Sequence, residues 1–267
     1  MSKKLLALDI DGTLTNTQKD ITPATLEKII EAQEKGHIVA IASGRPLPGI
    51  RKIADTIELD RFGGYVLAFN GGRIVDYSTG EVVYQAVLDN DVVRDIYDYC
   101  LKAGCGMVTY DGDRVITGTD IDGYMTFEAS INHMEIMRID NFREYIDFPL
   151  NKCLLTADPD KAEKIEQELA EKFGDQLNIF RSEPYFVEIM PPNVHKATSL
   201  EKLLDMDRKD LVACGDGYND LTMIEYAGVG VAMANAQDIV KEHADYITLS
   251  NDEDGLVPVV DKFILAD

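Results

Sequence analysis

Apolar runs of strand length alternate with amphipathic helical segments between residues 5 and 70. The runs LLAL, HIVAIAS and YVLAFN have the length and continuity of buried strands, and the segments between them place apolar side chains at helical spacing. Thr22 predicts the N-cap of the first helix and Gly36 its end, and a second helix is predicted over residues 47–57. This alternation predicts parallel strands with helices packed on the faces of the sheet.

The pattern changes after the third strand, where hairpins and helices are grouped instead of alternating. Two stretches are typical of hairpins, with turns at residues 78–80 and 111–113. The alternation of strands and helices resumes in the last third of the chain. We therefore expect an α/β chain in which residues 1–84 and 188–267 form one parallel-sheet core, and residues 85–187 form an inserted α+β domain.

The composition narrows the classes of partner. The chain has 267 residues, of which 45% are hydrophobic, so it can bury the core of one large domain or two smaller ones. Its 26 Lys and Arg residues against 48 Asp and Glu residues give a formal net charge of -22. This charge argues against nucleic acid and against an anionic membrane surface as partners.

Targeting signals and cysteine usage point to a reducing compartment. The sequence contains no signal-peptide stretch at its start and no apolar run long enough to span a bilayer, so we expect a cytoplasmic location. The cysteines Cys100, Cys105, Cys153 and Cys214 match no zinc-binding spacing. We therefore expect buried thiols without a disulfide or metal role.

Polar clusters follow four of the predicted strands: DIDGTLT, SGRP, NGG and GDGYND. Ligands of an open parallel sheet bind beyond the carboxyl ends of its strands, so these clusters converge on one site if their strands are neighbours. Asp9 and Asp11 stand one residue apart, and alternation points both carboxylates to the same side if the first strand persists through Asp11. Such close like charges either splay apart in solvent or hold a cation between them.

The residue types in these clusters favour a magnesium and phosphate site. A few carboxylates together with a substrate phosphate suit Mg²⁺ better than an all-protein calcium cage, and the first cluster lacks the glycine spacing and terminal glutamate of an EF-hand. Glycines after a strand let backbone N–H groups crowd around an oxyanion. The chain has no Walker A lysine motif, which argues against P-loop nucleotide chemistry.

The four clusters also carry a family resemblance. DIDGTLT resembles the first motif of the haloacid dehalogenase superfamily, whose members mostly transfer phosphoryl groups through an aspartate nucleophile. SGRP is similar to the second motif, Lys196 stands where the third is expected, and GDGYNDLTMI resembles the fourth. The tail from VGVAMANA onward resembles the Cof-like sugar-phosphatase branch, which carries a large α/β (C2-type) cap between the second and third motifs. The resemblance implies a Rossmann-like parallel-sheet core with helices on both faces, and it makes the inserted α+β domain a cap.

The resemblance also implies roles for individual residues. Asp9 is the expected nucleophile, and Asp11 is the expected general acid for the leaving alcohol and then the base for water. Mg²⁺ is expected on the Asp9 carboxylate, the Asp11 backbone carbonyl and Asp216. Residues expected to bind the phosphate or the rest of the substrate are Ser43, Gly44, Arg45, Lys196 and Asn219. Asp220 and Thr13 are expected to support the site.

Some residues in these motifs have an ordinary structural interpretation as well. Ser43 can cap the helix that follows it, and Arg45 can pair with a surface acid instead of binding substrate. Asn70 of the NGG cluster is interpreted as a turn residue, and His195 as a loop residue. Ala197 stands where the family usually has glycine after the lysine.

We predict a phosphoric monoester hydrolase, namely a Mg²⁺-dependent phosphatase of small phosphorylated metabolites, with sugar phosphates as the expected class. A phosphomutase on sugar phosphates is the alternative enzyme, and a non-catalytic binding protein on the same fold is a third possibility. The presence of a competent residue at every catalytic position weighs against the non-catalytic reading. The polar residues of the cap contain no recognisable substrate code, and the sequence contains no indication of oligomeric state.

Overall fold

The computed structural model describes residues 3–203 and 207–266. Residues 1–2, 204–206 and 267, which belong to the core predicted from the sequence, lie outside the described residues. The strands within it, numbered along the chain, are β1 (Leu5–Leu8), β2 (Ile38–Ala42), β3 (Tyr65–Ala68), β4 (Arg73–Asp76), β5 (Val82–Gln85), β6 (Gly106–Asp111), β7 (Arg114–Thr117), β8 (Glu135–Arg138), β9 (Cys153–Thr156), β10 (Asn178–Glu183), β11 (Phe186–Met190), β12 (Leu211–Gly215), β13 (Val229–Ala232) and β14 (Tyr246–Ile247). The α-helices are α1 (Pro23–Glu34), α2 (Leu47–Thr56), α3 (Leu59–Phe62), α4 (Asn90–Ala103), α5 (Gly123–Ile131), α6 (Phe142–Tyr145), α7 (Pro159–Phe173), α8 (Lys196–Leu203), α9 (Leu221–Tyr226), α10 (Asp238–His243) and α11 (Leu256–Val259).

The chain divides into two compact units. One is formed by the chain up to Tyr84 and from His195 onward, and the other by Gln85–Val194. The sequence predicts the second boundary at residue 187, and the structure corrects this position. A break there would cut β11, which pairs with β9 and β10 in the sheet of the second unit. The second unit therefore extends past β11.

The first unit contains one sheet, in which the described strands have the order β14-β13-β12-β1-β2-β3-β4-β5. The strands from β14 to β3 are parallel, and β4 is antiparallel to β3. The predicted α/β class with a parallel core is therefore confirmed. β1 lies between β2 and β12, so the strand order reverses direction at β1. Open α/β sheets bind ligands at such a reversal, outside the carboxyl ends of the strands.

The strand β1 is buried over its whole length, as expected for a strand covered on both faces. Leu5 and Ala7 pack in a buried cluster with Leu200 of α8. This packing ties α8 to the centre of the sheet. Asp9 is the residue that follows β1, so it stands at the carboxyl edge on the end of a fully buried strand.

The second unit is built on a mostly antiparallel sheet, with its described strands in the order β10-β11-β9-β6-β7-β8. The hairpin predicted at residues 111–113 is present, since Asp111 of β6 is the partner of Arg114 of β7. The helices α4 and α7 contribute Ile96 and Leu169 to a large buried cluster whose members all lie within this unit. The second unit therefore has a core of its own.

The four cysteines are buried, as predicted from the sequence. Cys100, Cys105, Cys153 and Cys214 are all buried, and none of them forms a disulfide. Burial raises the pKa of the Cys153 thiol to about 12. No helix in the described part of the chain combines the length and the apolar character that crossing a bilayer requires.

Candidate active site

Acidic side chains and one lysine meet at the carboxyl ends of β1 and β12. Asp9 follows β1, and its backbone N–H donates to the carbonyl of Cys214 in β12 at 3.1 Å. Asp216 follows β12, Asp220 lies in the next turn of the chain, and Lys196 is the first residue of α8. Residues from distant parts of the sequence therefore form one contact network on the first unit.

Lys196 lies at the centre of this network. Its Nζ is 2.6 Å from Oδ1 of Asp9 and 2.5 Å from Oδ1 of Asp220, and its side chain is 0% exposed. Burial alone would lower the pKa of Lys196, but the charges of Asp220 and Asp9 raise it above its ordinary value. Lys196 is therefore a buried ammonium group that holds the Asp9 carboxylate in place.

Asp220 organises the turn after β12. Its Oδ2 accepts hydrogen bonds from the backbone N–H groups of Asp216 at 3.0 Å and Gly217 at 2.9 Å, while its Oδ1 accepts from Lys196. Both carboxylate oxygens are thus engaged by protein donors. Asp220 therefore contacts Lys196 and the turn that bears Asp216, and its predicted supporting role would act through these contacts.

The carboxylates of Asp9, Asp216 and Asp220 lie close to one another. Asp9, Asp216 and Asp220 can each offer an oxygen within 4.8 Å of the others. Burial and the charge of Asp220 raise the pKa of Asp9 above its ordinary value, and the same two causes raise the pKa of Asp216 to about 6. Both oxygens of Asp220 are bound by protein donors and Oδ1 of Asp9 is bound by Lys196, whereas Asp216 accepts longer contacts from Thr13 at 3.4 Å and Asn235 at 3.5 Å. The carboxylates of Asp9 and Asp216 are therefore the groups that would suit a hard cation such as Mg²⁺.

The turn after Asp11 is shaped to hold Asp216. Gly12 has a φ of +84°, and a Cβ added there would lie 2.3 Å from Oδ2 of Asp216. Only glycine permits both this backbone conformation and this close approach. Thr13 is buried, and its Oγ1 donates to Oδ1 of Asp216 at 3.4 Å. Thr13 is therefore in contact with a predicted metal ligand.

Asp11 lies in a different environment from Asp9. Its carboxylate accepts two hydrogen bonds from Arg45, at 2.8 Å from Nε and 2.6 Å from Nη2, and a third from Nζ of Lys19 at 2.8 Å. Burial alone would raise the pKa of Asp11, but the hydrogen bonds and charges of Arg45 and Lys19 lower it below its usual value. The acid with which Arg45 pairs is thus itself a predicted site residue.

Ser43 and Asn219 are linked through Asn70. The Ser43 carbonyl accepts from the N–H of Asn70 at 2.8 Å, and Nδ2 of Asn219 donates to Oδ1 of Asn70 at 3.2 Å. A Cβ added at Gly44 would lie 3.3 Å from the same Oδ1. Oγ of Ser43 also accepts the N–H of Arg45 at 3.2 Å. Ser43 does not cap α2, whose N-cap is Pro46 without a side-chain capping bond. Asn70 is buried at this junction, so its position involves more than the turn that the sequence predicts.

Three residues that the sequence analysis did not assign to the site contact it, namely Asn70, Asn235 and Lys19. Asn70 belongs to a recognised polar cluster, and Asn235 belongs to the family-like tail, where its Nδ2 donates to the carbonyl of Gly12 at 2.8 Å. Both therefore had a sequence signal. Lys19 had none, because it lies in an exposed loop and reaches Asp11 only through the fold.

The sequence profile of the haloacid dehalogenase-like hydrolases matches residues 6–260. The chain belongs to this family. The Bacillus subtilis protein YcsE, a 5-amino-6-(5-phospho-D-ribitylamino)uracil phosphatase, is 32% identical over 265 residues, which cover 98% of this chain and 96% of YcsE. A haloacid dehalogenase-like hydrolase from Bacteroides thetaiotaomicron has the same fold with a TM-score of 0.93, 43% identity, and coverage of 98% of this chain and 99% of its own. The crystal structure of TM0651 from Thermotoga maritima matches with a TM-score of 0.88 and 28% identity, over 98% of this chain and 97% of its own.

The family resemblance carried by the four motifs is therefore confirmed. The enzyme class predicted for the chain, a phosphatase of this family, is confirmed as well, since a relative that matches over nearly its full length is a phosphatase.

Proposed function

We propose that this protein is a Mg²⁺-dependent phosphatase of small phosphorylated metabolites, acting through an aspartyl-phosphate intermediate. The observation that carries the proposal is the cluster around Asp9. A carboxylate on the end of a buried strand is held by a buried ammonium group, and the carboxylate of Asp216 has an oxygen within 4.8 Å of it. Such a cluster combines a positioned nucleophile with positive charge for a phosphate.

The groups that would hold a metal are the carboxylates of Asp9 and Asp216, together with the backbone carbonyl of Asp11. A bound Mg²⁺ supplies positive charge that lets a carboxylate approach an anionic phosphate and that stabilises charge during transfer. Thr13 donates a hydrogen bond to the Asp216 carboxylate, and Gly12 leaves the space that this carboxylate occupies.

The nucleophile is Asp9. Lys196 fixes one of its oxygens at 2.6 Å, which leaves the other oxygen for attack on phosphorus. Asp220 holds Lys196 and the turn that bears Asp216, so it acts through these residues and not on the substrate. The ammonium of Lys196 also attracts the oxygens of a bound phosphoryl group.

Asp11 carries the proton in both halves of the reaction. As an anion held by Arg45 it can accept a proton from the water that hydrolyses the phosphoenzyme. In the first half it must donate a proton to the leaving alcohol. An anionic phosphate near Arg45 would compete for the guanidinium and favour the protonated form of Asp11. Ser43, Gly44 and Asn219 are the remaining groups that we assign to the phosphate.

The substrate class that we propose is phosphate esters of sugars and related polyhydroxylated chains. The relative YcsE is named for a substrate whose phosphate is carried by a ribityl chain, which is a polyol. The net charge of -22 repels a polyanion and so disfavours nucleic acid as substrate. An anionic substrate must then be attracted by a few local positive groups. The positive charges of Lys196, Arg45 and one metal ion are enough to attract a small phosphorylated metabolite.

The proposal is tested by measuring release of inorganic phosphate from a panel of phosphorylated metabolites. We expect release from sugar and polyol phosphates, loss of at least 100-fold after exhaustive chelation, and recovery with Mg²⁺ but little with Ca²⁺, whose coordination is larger and looser. Asp9→Asn should release no phosphate above background under the same conditions. Full activity after chelation would contradict the metal role, and isomerisation without phosphate release would identify a phosphomutase.

A further inference from the structure

The loop between β1 and α1 carries Asp11 and Gly12 and is tied down by the last part of the chain. Asn235, just after β13, donates its Nδ2 to the Gly12 carbonyl at 2.8 Å, and the same Nδ2 lies 3.5 Å from Oδ2 of Asp216. One side-chain amide therefore contacts both the turn after Asp11 and a proposed metal ligand.

We propose that Asn235 is a positioning residue for the metal site. The inference rests on the proposed metal-dependent function and goes beyond the ligands themselves. The carbonyl of Gly12 is one peptide unit away from the carbonyl of Asp11, so a hydrogen bond to the first restricts the orientation of the second. The weaker contact to Asp216 places an N–H donor beside the second carboxylate ligand. Asn235 thus links the Asp216 carboxylate to the peptide that follows the Asp11 carbonyl.

The orientation of the Asn235 amide is determined by its neighbours. Its Oδ1 accepts the backbone N–H of Asn251 at 3.0 Å, while its Nδ2 faces the Gly12 carbonyl. A reversed amide would set donor against donor and acceptor against acceptor. The Asn251 side chain ties the same loop a second time, because its Nδ2 donates to the carbonyl of Thr15 at 2.9 Å. The tail that resembles the Cof-like branch therefore holds the loop after β1 through the hydrogen bonds of Asn235 and Asn251.

Loss of this amide should act on metal affinity more than on folding. Asn235 is exposed, so little buried structure depends on it. Groups that hydrogen-bond to metal ligands typically change metal affinity by about 10- to 100-fold when removed. A residue that only stabilises the fold would lower the unfolding temperature equally with and without metal.

The test is a titration of the thermal unfolding midpoint with Mg²⁺, using the full chain and no substrate. We expect Asn235→Ala to raise the Mg²⁺ concentration for half-maximal stabilisation about tenfold, with a metal-free midpoint close to that of the unsubstituted protein. Asn235→Gln keeps an amide donor on a longer side chain and should recover part of the affinity. Saturating Mg²⁺ should restore kcat/KM in Asn235→Ala.

The matched control is Asp252→Ala. Asp252 accepts two hydrogen bonds from Thr17 of the same loop, at 2.8 Å from its N–H and 2.6 Å from its Oγ1, and these contacts do not involve Asp216. We expect this variant to keep the Mg²⁺ affinity of the unsubstituted protein.

Equal Mg²⁺ affinity in Asn235→Ala and the unsubstituted protein would overturn the inference, as would an equal loss in the Asp252 control. If the Mg²⁺ titrations behave as expected but no phosphate ester is hydrolysed, the proposed phosphatase function fails while the positioning role stands. If the unsubstituted protein is not stabilised by Mg²⁺ at all, the metal site and this inference fail together.

Discussion

Asp9 and Asp11 are chemically identical and stand one residue apart, yet the fold makes them different groups. Asp9 is buried against Lys196, and its pKa is raised chiefly by burial and by the charge of Asp220. Asp11 is 37% exposed in its side chain and is held by Arg45 and Lys19, whose hydrogen bonds and charges lower its pKa. The two aspartates therefore lie in different electrostatic environments, although only one residue separates them.

Substitution of the two aspartates should separate the two steps of the proposed reaction. Asp9→Asn removes the nucleophile, so no phosphoenzyme should form with any substrate. Asp11→Asn should slow turnover of a sugar phosphate by about 10²- to 10⁴-fold, because a sugar alkoxide needs a proton to leave. With an aryl phosphate the first step needs no protonation, whereas hydrolysis of the phosphoenzyme still lacks its base. Stopped-flow measurement should therefore show a burst of phenol close to one per enzyme molecule.

The corresponding control is Asp11→Glu, which keeps a carboxylic acid and should show no accumulation of phosphoenzyme. If Asp11→Asn slows both classes of substrate equally and gives no burst, Asp11 does not carry the proton. Its role would then be confined to its backbone carbonyl and its pairing with Arg45.

At the scale of elements, the helix α8 is fitted closely against the turn that contains Asn70. Gly71 in this turn has a φ of +91°, and a Cβ added there would lie 1.9 Å from Oγ of Ser199 in α8. Ser199 in turn donates its Oγ to the Gly71 carbonyl at 2.8 Å. Because α8 begins with Lys196, this contact helps to determine where the ammonium lies.

Gly71→Ala should therefore cost more stability than its backbone conformation alone explains. We expect the free energy of unfolding to fall by about 3 kcal/mol, from a strained positive φ together with a steric clash. Gly36→Ala is the matched control, because Gly36 has a φ of +88° but no atom within 4 Å of the added Cβ. That variant should lose only about 1 kcal/mol. Urea unfolding followed by circular dichroism gives both values, and equal losses would show that the contact with Ser199 relaxes at no cost.

At the scale of the whole molecule, each of the two units has a hydrophobic core formed by its own residues. The buried cluster of the first unit joins β1, β12 and α8, whereas the clusters of the second unit draw only on residues within Gln85–Val194. Every residue that we assign to the metal, the nucleophile and the phosphate lies in the first unit. The second unit carries none of them, and we propose that it contributes to the selection of substrate.

Each unit should therefore fold without the other. A fragment of residues 85–194 should unfold cooperatively in urea, because its sheet and core are complete. The first unit, with a short Gly/Ser linker between Tyr84 and His195, should keep its Mg²⁺-dependent stabilisation and hydrolyse a small aryl phosphate. It should also lose discrimination among larger metabolites. An unfolded fragment, or unchanged discrimination by the first unit alone, would contradict this division.

Much of this organisation could be predicted from the sequence wherever the physical cause is local. Thr22 caps α1 as predicted, with its Oγ1 accepting the N–H of Thr25 at 3.3 Å, because capping depends on residues three apart. The hairpin of β6 and β7 was predictable from its turn for the same reason. In contrast, α5 and β8 gave no clear pattern, since α5 packs Met125 and Ala129 into a cluster supplied by several other elements.

The sequence by itself determined the α/β class, the insertion near residue 85, and the family. The hydrophobic periodicity of strands and helices and the spacing of the motifs are properties of the sequence that need no tertiary contact. It also identified Asp9, Asp11, Lys196 and Asp216 as candidates. Only the tertiary structure decided which carboxylate Lys196 holds, that Arg45 pairs with Asp11, and that Asn235 reaches the Gly12 carbonyl. These contacts join residues 34 to 223 positions apart. No local preference specifies such pairings, because they exist only when the parallel sheet brings the ends of its strands to one edge.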